Sequence, residues 1–490
     1  MPMFANPLYC GQDPFVCKGP DGLYYSVAEG ADAAGIDVYV SDRLTVRGNK
    51  TEVFRAFESG KSSADLWAPE LWYLRGKWYI YYAGAEGSGQ ENWDSHRMFV
   101  LESECPTGPY RFCGELDLGE RMSIDGTVME LPDGRLILFY MGRNDAKTLN
   151  CLYMAAMKSP TEIDGEPILL TEPTLPWESD ICEGPFPIVC PNGISLLYSA
   201  NAAHLPEYCI TQLFCQNSDD ILNPASWVKK PQPVFSSANG YVGPGHACIV
   251  ASPDDSEKWL IFHSKYTDDV SLPGGWDRAV NILPVTVDDS ARVSMQKITT
   301  YGSLLDAPSG EQDIPRGQDI SVLAEEWCSS LSDFCYARTK TYFQKPDGLM
   351  LDGTVFPQAE CKLLTQENYV DFQLSVDMKL ISPNGCCGIL FRAEHAYVGV
   401  NAWEGYALVL TPNEMRLVRC DGEKITVLQS VPKSFSGETV TVHAEGNRIG
   451  VFCAEKCLMS CEDQAFQNGK IGLYAQNGVG LFGKVTVKNL

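Results

Sequence analysis

Residues 123–142, SIDGTVMELPDGRLILFYMG, decide the fold. They read as a strand carrying one acid, a Pro132-Asp133-Gly134 turn, and a second strand of aliphatic and aromatic residues. Asp-Gly between two apolar runs signals a hairpin, because glycine reaches the positive φ of the turn at no steric cost. The same unit recurs along the chain. Asp21-Gly22 leads into LYYSVAEG, Arg75-Gly76 into KWYIYYAG, Asn192-Gly193 into ISLLYSA and Glu257-Lys258 into WLIFHSK. The starts fall at 22, 76, 134, 193 and 258, in steps of 54, 58, 59 and 65 residues. Repeats of this length predict propeller blades, each a small antiparallel sheet of about four strands. Five repeats predict five blades, with strands such as WYIYY and LILFY in their cores.

A chemically capable side chain precedes each turn. Asp13 lies nine residues before Gly22, Asp125 nine before Gly134 and Glu183 ten before Gly193. Trp67 lies nine before Gly76, and His246 twelve before Lys258. If the first strand of each blade lines the channel, three carboxylates, an indole and an imidazole meet at one axial pocket. An acid beside Pro or Gly is often only a turn-former. Three acids at matching positions in separate blades are not required by turn geometry. Carboxylates brought together repel, which suits chemistry needing one protonated and one ionised. Glycoside hydrolysis needs that division: an acid for the leaving oxygen, and a carboxylate acting on water or on the sugar.

Other residues carry two readings each. His246, in GYVGPGHA, is either a buried hydrogen-bonded histidine or a group at the channel floor binding water, an ion or substrate. His263 reads as a structural residue of the strand LIFHSK. Arg278 either reaches sugar hydroxyls or sits in a surface ion pair. Trp67 either stacks on a sugar face or packs in the core.

The chain of 490 residues exceeds one ordinary domain, and its 44% hydrophobic content supplies large cores. The expected division is a propeller over 1–305, a Pro-, Gly- and Asp-rich linker over 306–325, and a second domain over 326–490. There, strand-like runs such as DFQLSVDMKL, GCCGILFRA and KIGLYAQ recur every ten to fifteen residues and predict a two-sheet β-sandwich. No apolar run reaches membrane-spanning length, and no leader pattern opens the sequence. A formal charge of −25 disfavours nucleic acid, anionic membranes and polyuronates as partners, and favours neutral substrates. Nineteen cysteines lack a framework spacing, which suggests free thiols and a cytoplasmic protein. Cys453, Cys457 and Cys461 recur every four residues, but no histidine accompanies them; they read as small apolar fillers. Nothing in the sequence fixes an oligomeric state.

At these residues the chain resembles glycoside hydrolase family 43. The likeness covers residue 8 to about 300, through GQDPF, DLWAPELWYLRGKWYIYYAG, HRMFVLES, SIDGTVMELPDGRL, WESDICEGPFPI, LNPASW, PVFSS, GYVGPGHACIV and Arg278. Within the family it most resembles α-L-arabinofuranosidases. The resemblance implies a five-bladed propeller and single-displacement hydrolysis with inversion. It makes Asp13 the general base, Glu183 the general acid, and Asp125 the group that orients the acid and raises its pKa. Trp67, Ile124, His246 and Arg278 match substrate-pocket positions. No cofactor is required; the resemblance allows a structural calcium ion near His246, held through water. In two respects the chain departs from the family: Ala247-Cys248 replaces the common Asn-Ser after GPGH, and only Arg278 remains of an arginine-rich run. The second domain is similar to laminin-G-like or concanavalin-like sandwiches. Arg392, Glu394, Trp403 and Tyr406 there suit sugar binding, with strand packing the favoured account.

The expectation is therefore an exo-acting enzyme releasing terminal pentose, foremost α-L-arabinofuranose, from neutral oligosaccharides. A β-xylosidase or galactofuranosidase would use the same machinery. Fructan hydrolases also join a propeller to a sandwich, but Asp13 lacks their preceding asparagine, and Glu183 follows Cys182 rather than preceding it. A sugar-binding propeller without catalysis is the non-enzyme alternative.

Overall fold

All five turns found in the sequence are hairpins. In the computed structural model, they join Phe15–Lys18 to Tyr24–Glu29, Ala64–Leu74 to Lys77–Ala85, Ser123–Glu130 to Leu136–Arg143, Cys182–Cys190 to Gly193–Ala200, and Val242–Ala251 to Lys258–Lys265. The structure describes residues 3–490 except 31–33, 217–219, 266–267, 269–277, 313–318, 322–323, 327–341, 346, 355–359, 395, 397–400, 402, 423, 433–438 and 455.

Each hairpin opens an antiparallel sheet with strands in chain order, which makes a blade. The first strand of every blade packs on the first strand of the next, and that of blade 5 returns to blade 1. These five strands therefore line the axis of a closed ring. The aromatic second strands are buried as expected: Tyr81, Tyr82, Phe139 and Tyr140 are fully enclosed between blades.

The ring closes with a strand from the start of the chain. Tyr9–Cys10 pairs with Ala279–Val287 as an added strand of blade 5. Close by, Met3–Ala5 pairs with Leu304–Asp306.

The first strands share one irregularity. Asp13, Ala68, Asp125, Gly184 and His246 all have left-handed φ, between 42° and 55°. In each case regular pairing resumes two residues later, at Phe15, Glu70, Thr127, Phe186 and Cys248. These five are the equivalent positions of the blades. Trp67 and Glu183 thus stand one residue earlier than the spacing in the sequence placed them. A left-handed residue breaks the strict in–out alternation of a strand, so neighbouring side chains can serve the same face. Past this layer, Phe15, Trp72 and Phe186 meet ring to ring at centroid separations of 5.3–6.3 Å. They form an aromatic cluster joining the first strands of blades 1, 2 and 4.

The C-terminal half is a sandwich of two antiparallel sheets around a core that includes Leu374, Ile389, Phe391, Leu408 and Val442. Strand Phe372–Leu380 alternates buried and more exposed residues, as a half-buried strand should. Two short strands at the end of the expected linker already belong to these sheets. Asp319–Ser321 pairs with Thr486–Lys488, and Ala324–Glu326 with Leu363–Thr365. Polar composition hid them because edge pairing asks little of side chains. Arg392, Trp403 and Tyr406 are internal, at 0–1% exposure. Arg392 donates to the carbonyls of Val370, Gly446 and Phe466, while Tyr406 donates to Asp463. Burial leaves none of the three open to a sugar.

The sandwich docks beside the ring closure. Lys470 donates to the carbonyls of Leu8 (2.6 Å) and Thr365 (3.1 Å), tying the closing strand to the second domain. Arg43 pairs with Glu367 across the same boundary. Ala279 shares an apolar cluster with Leu364, Leu390 and Trp403 of the sandwich.

Candidate active site

Asp13 precedes the first strand of blade 1, where its left-handed backbone suits a short polar residue. Three basic side chains surround its Oδ1: Arg278 at 3.2 Å, His246 at 3.2 Å and His263 at 3.4 Å. Burial pushes the carboxyl up, but Arg278, His246 and His263 outweigh it and hold Asp13 well below the usual carboxylate range. Asp13 is therefore an anion at any working pH. Its own N–H donates to His263 Nδ1 at 3.0 Å, so that nitrogen is the acceptor and the ring proton sits on Nε2. Burial keeps His263 neutral. The histidine read as structural thus backs the carboxylate directly.

Arg278 does not point to open solvent; it is 7% exposed and also donates to Gln12 Oε1 at 2.5 Å. Gln12 in turn donates to Glu29. The arginine is a positioning residue for Asp13.

Glu183 occupies the first strand of blade 4, and its Oε1 accepts a 2.7 Å hydrogen bond from Tyr208. Burial, then the nearby charge of Asp125, pushes its carboxyl up to about 7, against the opposing effect of the Tyr208 hydroxyl. It is a weak acid, protonated below neutrality. Asp125 stands on the first strand of blade 3. Its Oδ2 accepts from the Gly184 N–H at 3.0 Å, locking the backbone beside Glu183. Burial raises the Asp125 pKa, with Asp13 adding to the effect.

His246 faces these acids. Burial disfavours its cation, but Asp13, Asp125 and Glu183 outweigh burial and push it up to about 9. Its Nδ1–H donates to Asp13, and its backbone N–H donates to Ser199 at 2.6 Å. Two glycines make room for this packing. A Cβ on Gly184 would sit 3.1 Å from the His246 ring, and one on Gly245 would sit 1.8 Å from the Tyr208 ring.

Trp67 is half-buried, stacked on His96 at 4.0 Å and edge-on to Trp93 at 6.3 Å. Trp93 is 41% exposed on the rim. Ile124 is buried in the cluster between blades 2 and 3 and shapes the wall behind Asp125. Trp276 and Asp277, which precede Arg278 in the sequence, lie outside the described residues.

Sequence reasoning missed Tyr208 and Glu70. Tyr208 sits outside the repeat phase, on a turn pinned by Lys265, which donates to Ala203 and Leu205 carbonyls. Glu70 follows Ala68 by two residues and accepts from Trp72 Nε1 at 2.8 Å. Burial pushes its carboxyl up to about 8. Its signal was its phase, once the left-handed residues define the blades.

A directly held metal does not fit these donors. Among the described residues, no group of three or more His, Cys, Asp or Glu is arranged to hold an ion.

The architecture and its axial cluster define an all-β propeller with carboxyl groups of opposed ionisation gathered at its axis. Residues 4–290 match the family model described as Glycosyl hydrolases family 43, and the chain belongs to that family. It is 35% identical over 289 residues to the extracellular exo-α-(1→5)-L-arabinofuranosidase of Streptomyces avermitilis, across 55% of this chain and 57% of that one. The chain thus spans 57% of that relative's length. An enzyme of the same description from Streptomyces chartreusis is 28% identical, across 54% of this chain and 82% of that protein. The crystal structure of an α-L-arabinofuranosidase from Lactobacillus brevis aligns with TM-score 0.57 and 26% identity, covering 61% of this chain and 98% of that one.

The expectation of a cytoplasmic protein is corrected by these relatives. Both Streptomyces enzymes are named extracellular, against a cytoplasmic reading. The inference from free thiols fails for a physical reason. Cys151, Cys182, Cys209, Cys248 and Cys420 are free and buried as core fillers. Thiols shielded in this way report packing rather than redox compartment.

Proposed function

We propose that this chain is an inverting, exo-acting glycosidase that releases terminal α-L-arabinofuranose from neutral oligosaccharides. One observation carries the reading: Asp13 and Glu183 meet in one pocket with their ionisation driven in opposite directions. Asp13 accepts a proton from water as that water bonds to the anomeric carbon. Glu183 gives its proton to the glycosidic oxygen as the bond to the leaving sugar breaks. Asp125 orients Gly184 and, through its charge, keeps the proton on Glu183. His246 and Arg278 hold Asp13 in place and ionised. Inversion on this scheme needs the two carboxyl groups roughly 6.5–9.5 Å apart, with room for the water. Attack at chain ends is supported by the Streptomyces relatives, both named as exo-acting enzymes. The sugar is taken from the names of the relatives.

The test is turnover of nitrophenyl α-L-arabinofuranoside, β-D-xyloside and β-D-galactofuranoside, each with and without chelator. Turnover of the arabinofuranoside, unchanged by chelator, is the expected result. Turnover of another glycoside alone would replace the sugar but keep the machinery. Folded protein inactive on all three, and on arabino-oligosaccharides, would overturn the reading.

A further inference from the structure

A cavity of about 410 Å³ opens beside the axial mouth, between blades 2 and 3. It lies on the mouth side, because Met122 in its wall is three residues from Asp125, which caps that separation at about 11 Å of chain. A second thread leads the same way. Asp94 in the wall follows Trp93, whose exposed ring meets Trp67 edge-on.

The three cations of this cavity are each paired with an acid, and Glu120 and Glu166 add exposed negative charge. Asp94 takes Arg143 at 3.0 Å and Lys147 at 2.7 Å, and Asp145 takes Arg121 at 2.8 Å. Paired ions draw neither anions nor cations strongly, yet they present oriented donors and acceptors. Leu118, Met122 and Pro167 supply an apolar side. Hydroxyls on one face and C–H groups on the other are what a neutral sugar ring offers. The volume falls within the range of small-ligand sites.

We propose that this cavity is an accessory subsite holding the leaving-group end of the oligosaccharide, two or three sugar units from the bond that breaks, with Trp93 as the step between. The inference rests on the glycosidase reading above. In the pocket, the axial mouth grips the terminal sugar; the cavity then grips the remainder and lets chain length add to transition-state binding.

The experiment compares kcat/KM for nitrophenyl arabinofuranoside with that for α-1,5-linked arabinobiose, arabinotriose and arabinotetraose. It uses the wild type, Lys147→Ala and Glu166→Trp. Lys147 and Glu166 are exposed, so both variants should fold. Lys147→Ala removes one donor from the cavity; Glu166→Trp fills its volume. The wild type should gain about tenfold in kcat/KM between the disaccharide and the tetrasaccharide, the scale of one or two hydrogen bonds. Both variants should flatten that gain while the nitrophenyl substrate is turned over normally. A length dependence that is absent, or the same in all three proteins, overturns the subsite. A wild type inactive on every arabinofuranoside would instead sink the proposed function. Calorimetric titration of Glu183→Gln protein with arabinotriose and xylotriose still decides the cavity in that case. Equal affinity with and without Lys147→Ala overturns it.

Discussion

Replacing Tyr208 by Phe should move the alkaline limb of the pH–rate profile without moving the acid limb. Tyr208 donates a 2.7 Å hydrogen bond to Glu183. Such a bond is worth about 1.5–3 kcal/mol when the acceptor is charged and about 0.5–1.5 when it is neutral. The difference, about 1–1.5 kcal/mol, favours the carboxylate and converts to roughly one pKa unit. Glu183 stands at about 7 with the bond in place. Without it, the acid keeps its proton to higher pH. Activity, lost as pH rises through this pKa, should therefore persist about one unit further, towards pH 8. The assay is kcat/KM against pH on arabinobiose, whose poor leaving group needs a proton. A nitrophenyl substrate serves as control, because its leaving group needs little help. Phenylalanine preserves the ring that stacks on His263 at 5.7 Å, so the fold should hold. An alkaline limb that stays put, or moves to lower pH, would refute the assignment of Glu183 as the titrating acid or of Tyr208 as its donor.

Asp125→Asn removes a charge that helps hold the proton on Glu183, so the alkaline limb on arabinobiose should move to lower pH by about one unit, with kcat reduced. Gly245→Ala drives a methyl to 1.8 Å from Tyr208 and should cost about 1–3 kcal/mol, read as a lower urea midpoint at unchanged slope. Glu70 has its pKa raised to about 8, above its unfolded value, so its contribution to stability is complete below about pH 4.5 and fades as pH rises towards 8. The loss approaches about 1.4 kcal/mol per pH unit. Glu70→Gln should flatten the fall in Tm between pH 5 and 8; a parallel fall in both proteins would show that Glu70 does not titrate in this window.

The blades were legible because their signal is local. Short runs of turn-forming residues between apolar strands mark a hairpin from local sequence, and all five hairpins are present. Asp13 and Asp125 were legible because the repeat gives them a phase, and Glu183 because it stands one residue from it. What escaped depends on contacts distant in sequence. Arg278 read as a hand reaching for sugar, but it meets Asp13 from 265 residues away. Tyr208 carries no phase, and only the glycine at 245 hints that a ring must fit there. His263 looked like any strand histidine until the pairing register set it opposite Gly245 and behind Asp13. The strands at 319–326 were hidden by a composition that also suits a linker. In the sandwich, Arg392 and Tyr406 looked like binding groups because sequence does not show that backbone carbonyls and Asp463 already satisfy them.

The ring has a seam, and Asp13, the proposed base, sits on it. Two residues, Tyr9 and Cys10, zip against Val280 and Ala279 to complete the circle. Asp13 follows the early side of this join and Arg278 precedes the late side, with Gly11 N–H donating to the Arg278 carbonyl at 2.9 Å between them. The base and the arginine that holds it are thus on opposite lips of one short zipper. Lys470 of the sandwich grips the Leu8 carbonyl just outside it. A propeller of this kind would fail first where its ends meet. Heat or denaturant that parts the lips separates Asp13 from Arg278 while the other four blades still stand, so inactivation should run ahead of unfolding. The second domain then acts as the clasp of a bracelet, and its stability sets how long the enzyme stays active.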